Sequence, residues 1–136
     1  MRCLIDTNVL LYSVLTDPRD REKRVRAREI LTTGDVGFSV QVLQEFYVQA
    51  THPGRVGRLS HEQAVEEVGY LSRYPVQDMT LAIFHAALTT KRRFQISYWD
   101  AAIIEAARAL GCSEVLTEDL NHGQNYDGVR VVNPFR

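Results

Sequence analysis

At 136 residues and 15.5 kDa the chain has room for one hydrophobic core, so a single domain over residues 1–136 is expected. Its 45% hydrophobic and 24% charged composition is that of an ordinary globular protein, which needs neither metal nor disulfide to fold. The net charge of -1 says nothing for or against nucleic acid, so only the distribution of charge counts.

Short runs rich in branched residues alternate with longer stretches of helical period, the pattern of βαβ units around a parallel sheet. Cys3-Leu4-Ile5 reads as a strand ending at Asp6, which interrupts the apolar run before it could span a membrane; no signal peptide is visible. A short helix follows from Asn8 through Leu15, stopped by Pro18. A second runs from about Asp20 to Leu31, with Val25, Ile30 and Leu31 as its apolar positions and Gly34 as its stop. Val36 to Ser39 is a strand, and Ser39 caps a helix in which Leu43, Phe46, Tyr47 and Ala50 form one stripe.

After a break at Pro53-Gly54, Ser60 opens a further helix with Glu62 close behind. A short strand is expected within Tyr74–Met79. Leu81 to Arg93 is helical, with Ala82, Ile83, Ala86 and Ala87 inward; His85 on that face reads as a core or edge residue. Ser97-Tyr98-Trp99-Asp100 has the form of a capping box opening an alanine-rich helix that ends near Gly111. Glu114 to Thr117 and Val129 to Val132 complete the strands. Cys3 and Cys112 have no ligand spacing and make no disulfide framework, which suits reduced thiols in a cytoplasm.

Three acids sit where such a sheet places ligands. Asp6 ends the first strand, Asp119 follows the Val115–Thr117 strand, and Asp100 lies in a first helical turn. Glu45 emerges at the edge of an apolar stripe. Each also has a plain structural reading. Asp6 serves equally as an N-cap, Asp100 as the acid of a capping box, Asp119 as a turn residue and Glu45 as a half-exposed helix residue. Taken together they suggest a cluster of mutually repelling carboxylates relieved by a hard divalent cation, Mg²⁺ or Mn²⁺ rather than Zn²⁺. Basic residues crowd Arg19–Arg28, either as a solvated face or as a track for a polyanion. No histidine has ligand spacing, and His122 reads as a turn residue.

The segments IDTNVLLY at Ile5–Tyr12, SVQVLQEFYV at Ser39–Val48, YWDAAIIEAA at Tyr98–Ala107 and VLTEDLNHGQNYDGVRVVNPF at Val115–Phe135 occur in that order. With them the chain resembles the PIN-domain nucleases, specifically the VapC-type toxins of toxin–antitoxin pairs, over essentially its whole length. The resemblance implies a parallel sheet of about five strands flanked by helices on both faces. It implies Asp6, Glu45, Asp100 and Asp119 as catalytic acids, with Asp6, Asp100 and Asp119 holding metal and Glu45 completing the shell or helping deprotonate water. Asp119 is preferred over Glu118 because the family's acid stands two positions after the strand-ending Thr.

By the same resemblance Thr7, Asn8 and Thr117 orient the acids or the attacking water. The implied reaction is RNA hydrolysis by metal-activated water, leaving a 5′-phosphate and a 3′-hydroxyl. Arg19, Arg21, Arg24 and Arg28 then become candidate RNA contacts. Tyr98 and Trp99 become candidate stacking platforms, with core packing favoured for Trp99. A small antitoxin and a homodimer are the implied partners. The alternatives are a metal-dependent phosphatase or DNA nuclease, which lacks its D-x-D pair or its insertions here, and a catalytically silent binding module of the same fold.

Overall fold

The computed structural model describes residues 2–136. Six strands form one sheet in the order β3-β2-β1-β4-β6-β5. They are β1 (Cys3–Ile5), β2 (Val36–Ser39), β3 (Val76–Gln77), β4 (Glu114–Leu116), β5 (Asn125–Tyr126) and β6 (Val129–Val132). Every pairing is parallel except β5 with β6, a hairpin turned through Asp127-Gly128 with positive φ at both positions. The sheet therefore has one strand more than the sequence suggests. β5 is two residues long, too short to show a period of two.

The helices are α1 (Thr7–Val14), α2 (Arg21–Thr33), α3 (Val40–Ala50), α4 (His61–Leu71), α5 (Leu81–Phe94) and α6 (Tyr98–Ala109). A single 3₁₀ turn at Pro18–Asp20 joins α1 to α2. Leu4 and Ile5 point to opposite faces of the sheet and both are fully buried, so helices cover it on both sides. Helix α6 packs against β2, β4 and β6 with α5 alongside, while α1 packs against α2 and α3.

Local chemistry explains the helix starts. Asp6, Ser39, Ser60, Thr80 and Ser97 each accept an N–H of the first turn of the helix they open. The reciprocal capping box forms at Ser60 with Gln63, not with the neighbouring Glu62. At Ser97 only half of it forms: the Asp100 N–H donates to Ser97 Oγ at 3.0 Å.

Some inward positions differ from the sequence pattern. In α2 the buried side chains are Ala27 and Ile30, while Val25 is exposed. In α5 they are Ile83, Ala87 and Thr90, while Ala82 and His85 face outward. In both helices the buried set mixes small and large side chains, because the inward stripe is set by how the helix lies on its neighbours, which hydrophobicity alone does not forecast. Thr90 is held inward because its hydroxyl donates to the buried Glu105 at 2.8 Å.

Candidate active site

β1 lies between β2 and β4, so the chain leaves the sheet in opposite directions on its two sides. The crevice beyond the C-terminal ends of these strands is the switch point where open α/β sheets bind ligands. Asp6 follows β1 and Thr117 follows β4, both at that crevice.

Asp6 is both cap and acid. Its Oδ1 accepts the Thr7 N–H at 2.7 Å and its Oδ2 accepts the Thr117 hydroxyl at 2.8 Å, with the side chain almost fully buried. Thr117 Oγ1 in turn accepts the Asn8 amide at 3.2 Å and the Asp119 N–H at 3.1 Å. The same Asn8 Nδ2 donates to Asp119 Oδ2 at 3.0 Å. On the other side the Thr7 hydroxyl donates to Glu45 Oε2 at 3.0 Å. One continuous run of hydrogen bonds thus joins Glu45, Thr7, Asp6, Thr117, Asn8 and Asp119.

Asp100 is outside this run: among the described residues its carboxylate makes no side-chain hydrogen bond, and its charge acts on Tyr126. Gln41 provides the link: its amide donates to Glu45 Oε1 at 3.2 Å and, at 3.4 Å, to the carbonyl of Trp99, the residue before Asp100. Sequence reasoning missed Gln41. The signal was a polar residue four positions before Glu45, at a place in α3 that the structure buries. Glu118 points elsewhere, accepting the Tyr12 hydroxyl and pairing with Lys23 at 2.9 Å, so only Asp119 of the two adjacent acids reaches the network.

Burial drives the Asp6 pKa up to about 6. The Thr117 and Thr7 hydrogen bonds oppose this, and the charges of Asp119 and Glu45 add to the rise. Among the described residues no three His, Cys, Asp or Glu side chains form a ready cage for a metal ion. The donors nevertheless fit a hard cation: they are all oxygens, and Mg²⁺ is ordinarily held by one or two carboxylates while it keeps several waters. Two buried amide oxygens beside the acids, Asn8 Oδ1 and Gln41 Oε1, have no hydrogen-bond partner among the described residues.

The basic segment divides. Arg24 donates to the carbonyl of Leu15 at 3.1 Å and Arg28 to that of Ser13 at 2.9 Å, so both secure the C-terminal end of α1. Arg28 lines a cavity with Leu31 and Tyr70, away from the acids. Arg19 is held by Asp17 at 2.7 Å but remains largely exposed, and Arg21 is exposed. Trp99 is 63% exposed, against the expectation of core packing, and its ring meets Tyr98 edge-on at 5.1 Å. His122 Nδ1 accepts the Asn133 N–H at 3.0 Å, a turn role as expected. Burial and the neighbouring Glu114 push the Cys3 thiol up to about 12, and burial pushes Cys112 up to about 11, so neither serves as a nucleophile at neutral pH.

A family model of the PIN domain matches residues 3–127. Among solved structures, a toxin–antitoxin complex from Klebsiella pneumoniae superposes with a TM-score of 0.68 at 19% identity over 97% of each chain. VapC20 of Mycobacterium tuberculosis, described as a sarcin-ricin loop cleaving toxin, gives 0.67 at 19% identity over 86% of this chain and 91% of that one. VapBC-1 from nontypeable Haemophilus influenzae gives 0.66 at 16% identity over the whole of both chains. At these identities the likeness is one of fold. No curated protein matches the chain.

Proposed function

The chain belongs to the PIN-domain family, and from that premise we propose that it is a divalent-metal-dependent endoribonuclease, the toxin of a VapBC-type toxin–antitoxin pair. The observation that carries this reading is the hydrogen-bonded run from Glu45 through Asp6 to Asp119 at the sheet's switch point. A pure binding platform gains nothing from a carboxylate whose pKa burial raises, with the charges of Asp119 and Glu45 adding to the rise.

Asp6, Asp119 and Asp100 are the residues assigned to hold Mg²⁺ or Mn²⁺, directly or through water. A bound cation of that kind supplies charge neutralisation at the phosphate and acidifies water. Glu45, with one oxygen taken by Thr7 and the other by Gln41, is positioned to accept the proton of the attacking water. Water adds to phosphorus in line, the bond to the 3′-oxygen breaks, and that oxygen leaves as a 3′-hydroxyl after taking a proton from solvent. The 5′-phosphate stays on the downstream fragment. Asn8 and Thr117 fix the rotamers of Asp119 and Asp6.

Protein partners follow from the fold. Solved neighbours of this shape are toxin–antitoxin complexes, which supports a cognate antitoxin. Leu81, Phe84 and Leu88 stand outward on one face of α5, and a cavity of about 570 Å³ between α3 and α4 is walled by apolar residues including Val48 and Val65. These faces suit an antitoxin and a second copy of the chain. No helix among the described residues is long and apolar enough to cross a membrane.

The test is cleavage of total cellular RNA by the purified chain with Mg²⁺, Mn²⁺ or EDTA, alongside Asp100→Asn. Discrete metal-dependent fragments that vanish in the variant are expected. A folded, antitoxin-free chain that cuts nothing and gains no melting temperature on metal addition would instead be a silent binding module.

A further inference from the structure

A cavity of about 250 Å³ runs along α1 from the acids, floored by Leu11 and Leu15 and walled by Asp20, Arg55 and Val56. Asn8 opens it at one end and is the same residue that donates to Asp119, so the cavity adjoins the reacting phosphate. From Asn8 to Leu15 is about 10 Å along the helix, within reach of a nucleotide next to the scissile bond. We propose that this cavity is a nucleobase pocket that takes a guanine, read by Asp20 on one edge and Arg55 on the other. The identity of the polymer rests on the ribonuclease reading above; the pocket itself rests on its own geometry.

Charge decides the class of ligand. Asp17, also in the wall, is consumed by Arg19, which contacts it at 3.1 and 2.7 Å. Arg55 is fixed by the carbonyl of Gln49 and by its amide oxygen, both at 2.8 Å, and has no carboxylate partner among the described residues. Asp20 caps α2 without a side-chain hydrogen bond and makes no close ion pair among the described residues, its charge acting on Arg19 from farther off. The pocket thus has one carboxylate without a side-chain hydrogen bond and one guanidinium fixed by Gln49, together with the apolar Leu11 and Leu15. A phosphate would meet Asp17 and Asp20, and a cationic side chain would meet Arg55. A neutral, flat heterocycle with donors on one edge and acceptors on the other meets neither objection.

Guanine alone among the common bases presents two parallel N–H donors for a carboxylate and adjacent O6 and N7 acceptors for a guanidinium. A volume of about 250 Å³ lies below that of a drug-sized site and suits one base. Close in sequence to the wall, Gly57 has a φ of 70°, and an added Cβ there would lie 2.8 Å from Thr16 Oγ1. Beyond Asp20 the groove continues into a cavity of about 470 Å³ bordered by Arg19 and His52, which gives the strand a path onward.

The test is NMR titration of the full chain with guanosine, inosine, adenosine and uridine 5′-monophosphates, following the Leu11 and Leu15 methyls. Saturable shifts with guanosine monophosphate are expected, about tenfold weaker with inosine monophosphate, which lacks the 2-amino donor, and similarly weakened in Asp20→Asn. Asp20 is half-exposed and makes no cap bond, so that variant folds. A second arm maps cleavage sites on random RNA and expects a guanine preference at a fixed position that Asp20→Asn relaxes. Equal shifts from all four nucleotides, shifts elsewhere, or tighter occupation by a blocked arginine peptide would overturn the proposal, the last assigning the pocket to a protein partner. Guanosine binding without any RNA cleavage would spare the pocket and sink the ribonuclease reading. Cleavage with no base preference would do the reverse.

Discussion

The carboxylate of Asp6 is tied on both oxygens, by the Thr7 N–H and the Thr117 hydroxyl, yet its pKa still rises to about 6 because burial outweighs those bonds. A folded pKa above the unfolded 3.8 means that the native state binds the proton more tightly. Without metal, the Asp6 contribution is most favourable below pH 4 and is lost as pH rises through 6, by about 3 kcal/mol in total. Melting temperature measured against pH in EDTA should therefore fall across that window. Asp6→Asn should flatten the fall and leave the protein at least as stable at pH 7, since Asn caps a helix as well as Asp. The same variant should abolish cleavage; full activity in a folded Asp6→Asn protein would remove Asp6 from the site. Gln41 is the other decisive residue. Gln41→Leu keeps the volume but frees Glu45 from α6, and should lower kcat with little change in melting temperature.

At the scale of elements, α1 is fastened at both ends by different parts of the chain. Asp6 caps its start, and Arg24 and Arg28 hold the carbonyls of Leu15 and Ser13 at its end. Arg24→Ala should cost about 1 kcal/mol in chemical denaturation through that lost bond, whatever it does to RNA. Salt dependence separates the candidate RNA contacts. Arg19→Ala should reduce the slope of log K against log salt by about one, whereas Arg28→Ala, which faces a different cavity, should leave it unchanged. A changed slope with Arg28→Ala would place the RNA track across the far side of α1. Helix α6 depends on Ser97 in the same way that α1 depends on Asp6. Ser97→Ala should cost about 1 kcal/mol of stability and also weaken metal binding, because Asp100 sits in the turn that Ser97 fixes.

The whole molecule is a sheet whose helices cover both faces while its strand ends gather carboxylates that repel one another. On the proposed reading, part of its stability should be withheld until a cation binds. Mg²⁺ or Mn²⁺ should raise the melting temperature by mass action, with the rise abolished in Asp6→Asn and in Asp100→Asn. A wild-type protein whose melting temperature ignores both metals would contradict the assigned site. At the far edge, Arg108 clamps the β5–β6 hairpin by donating to the carbonyls of Tyr126 and Asp127 at 2.7 and 2.6 Å while pairing with the buried Glu105 at 3.0 Å. That clamp closes the sheet on the side away from β3, so its loss should be read first in stability.

Period, caps and strand-end acids were legible in the residues themselves, because they are local. Helix starts at Ser39, Ser60 and Ser97 and the strand ending in Asp6 follow from the chemistry of a few neighbouring side chains. The family was legible as well, because four ordered segments constrain one another. Tertiary packing alone decided the rest. It set Asp119 against Asn8 and turned Glu118 to Lys23, buried Gln41 beside Glu45, exposed Trp99, and drew Arg24 and Arg28 onto α1 rather than leaving them to solvent. Each of these depends on which residues from distant parts of the chain share a few ångströms of space. A sequence read along its own length records the donors and acceptors but not which of them meet.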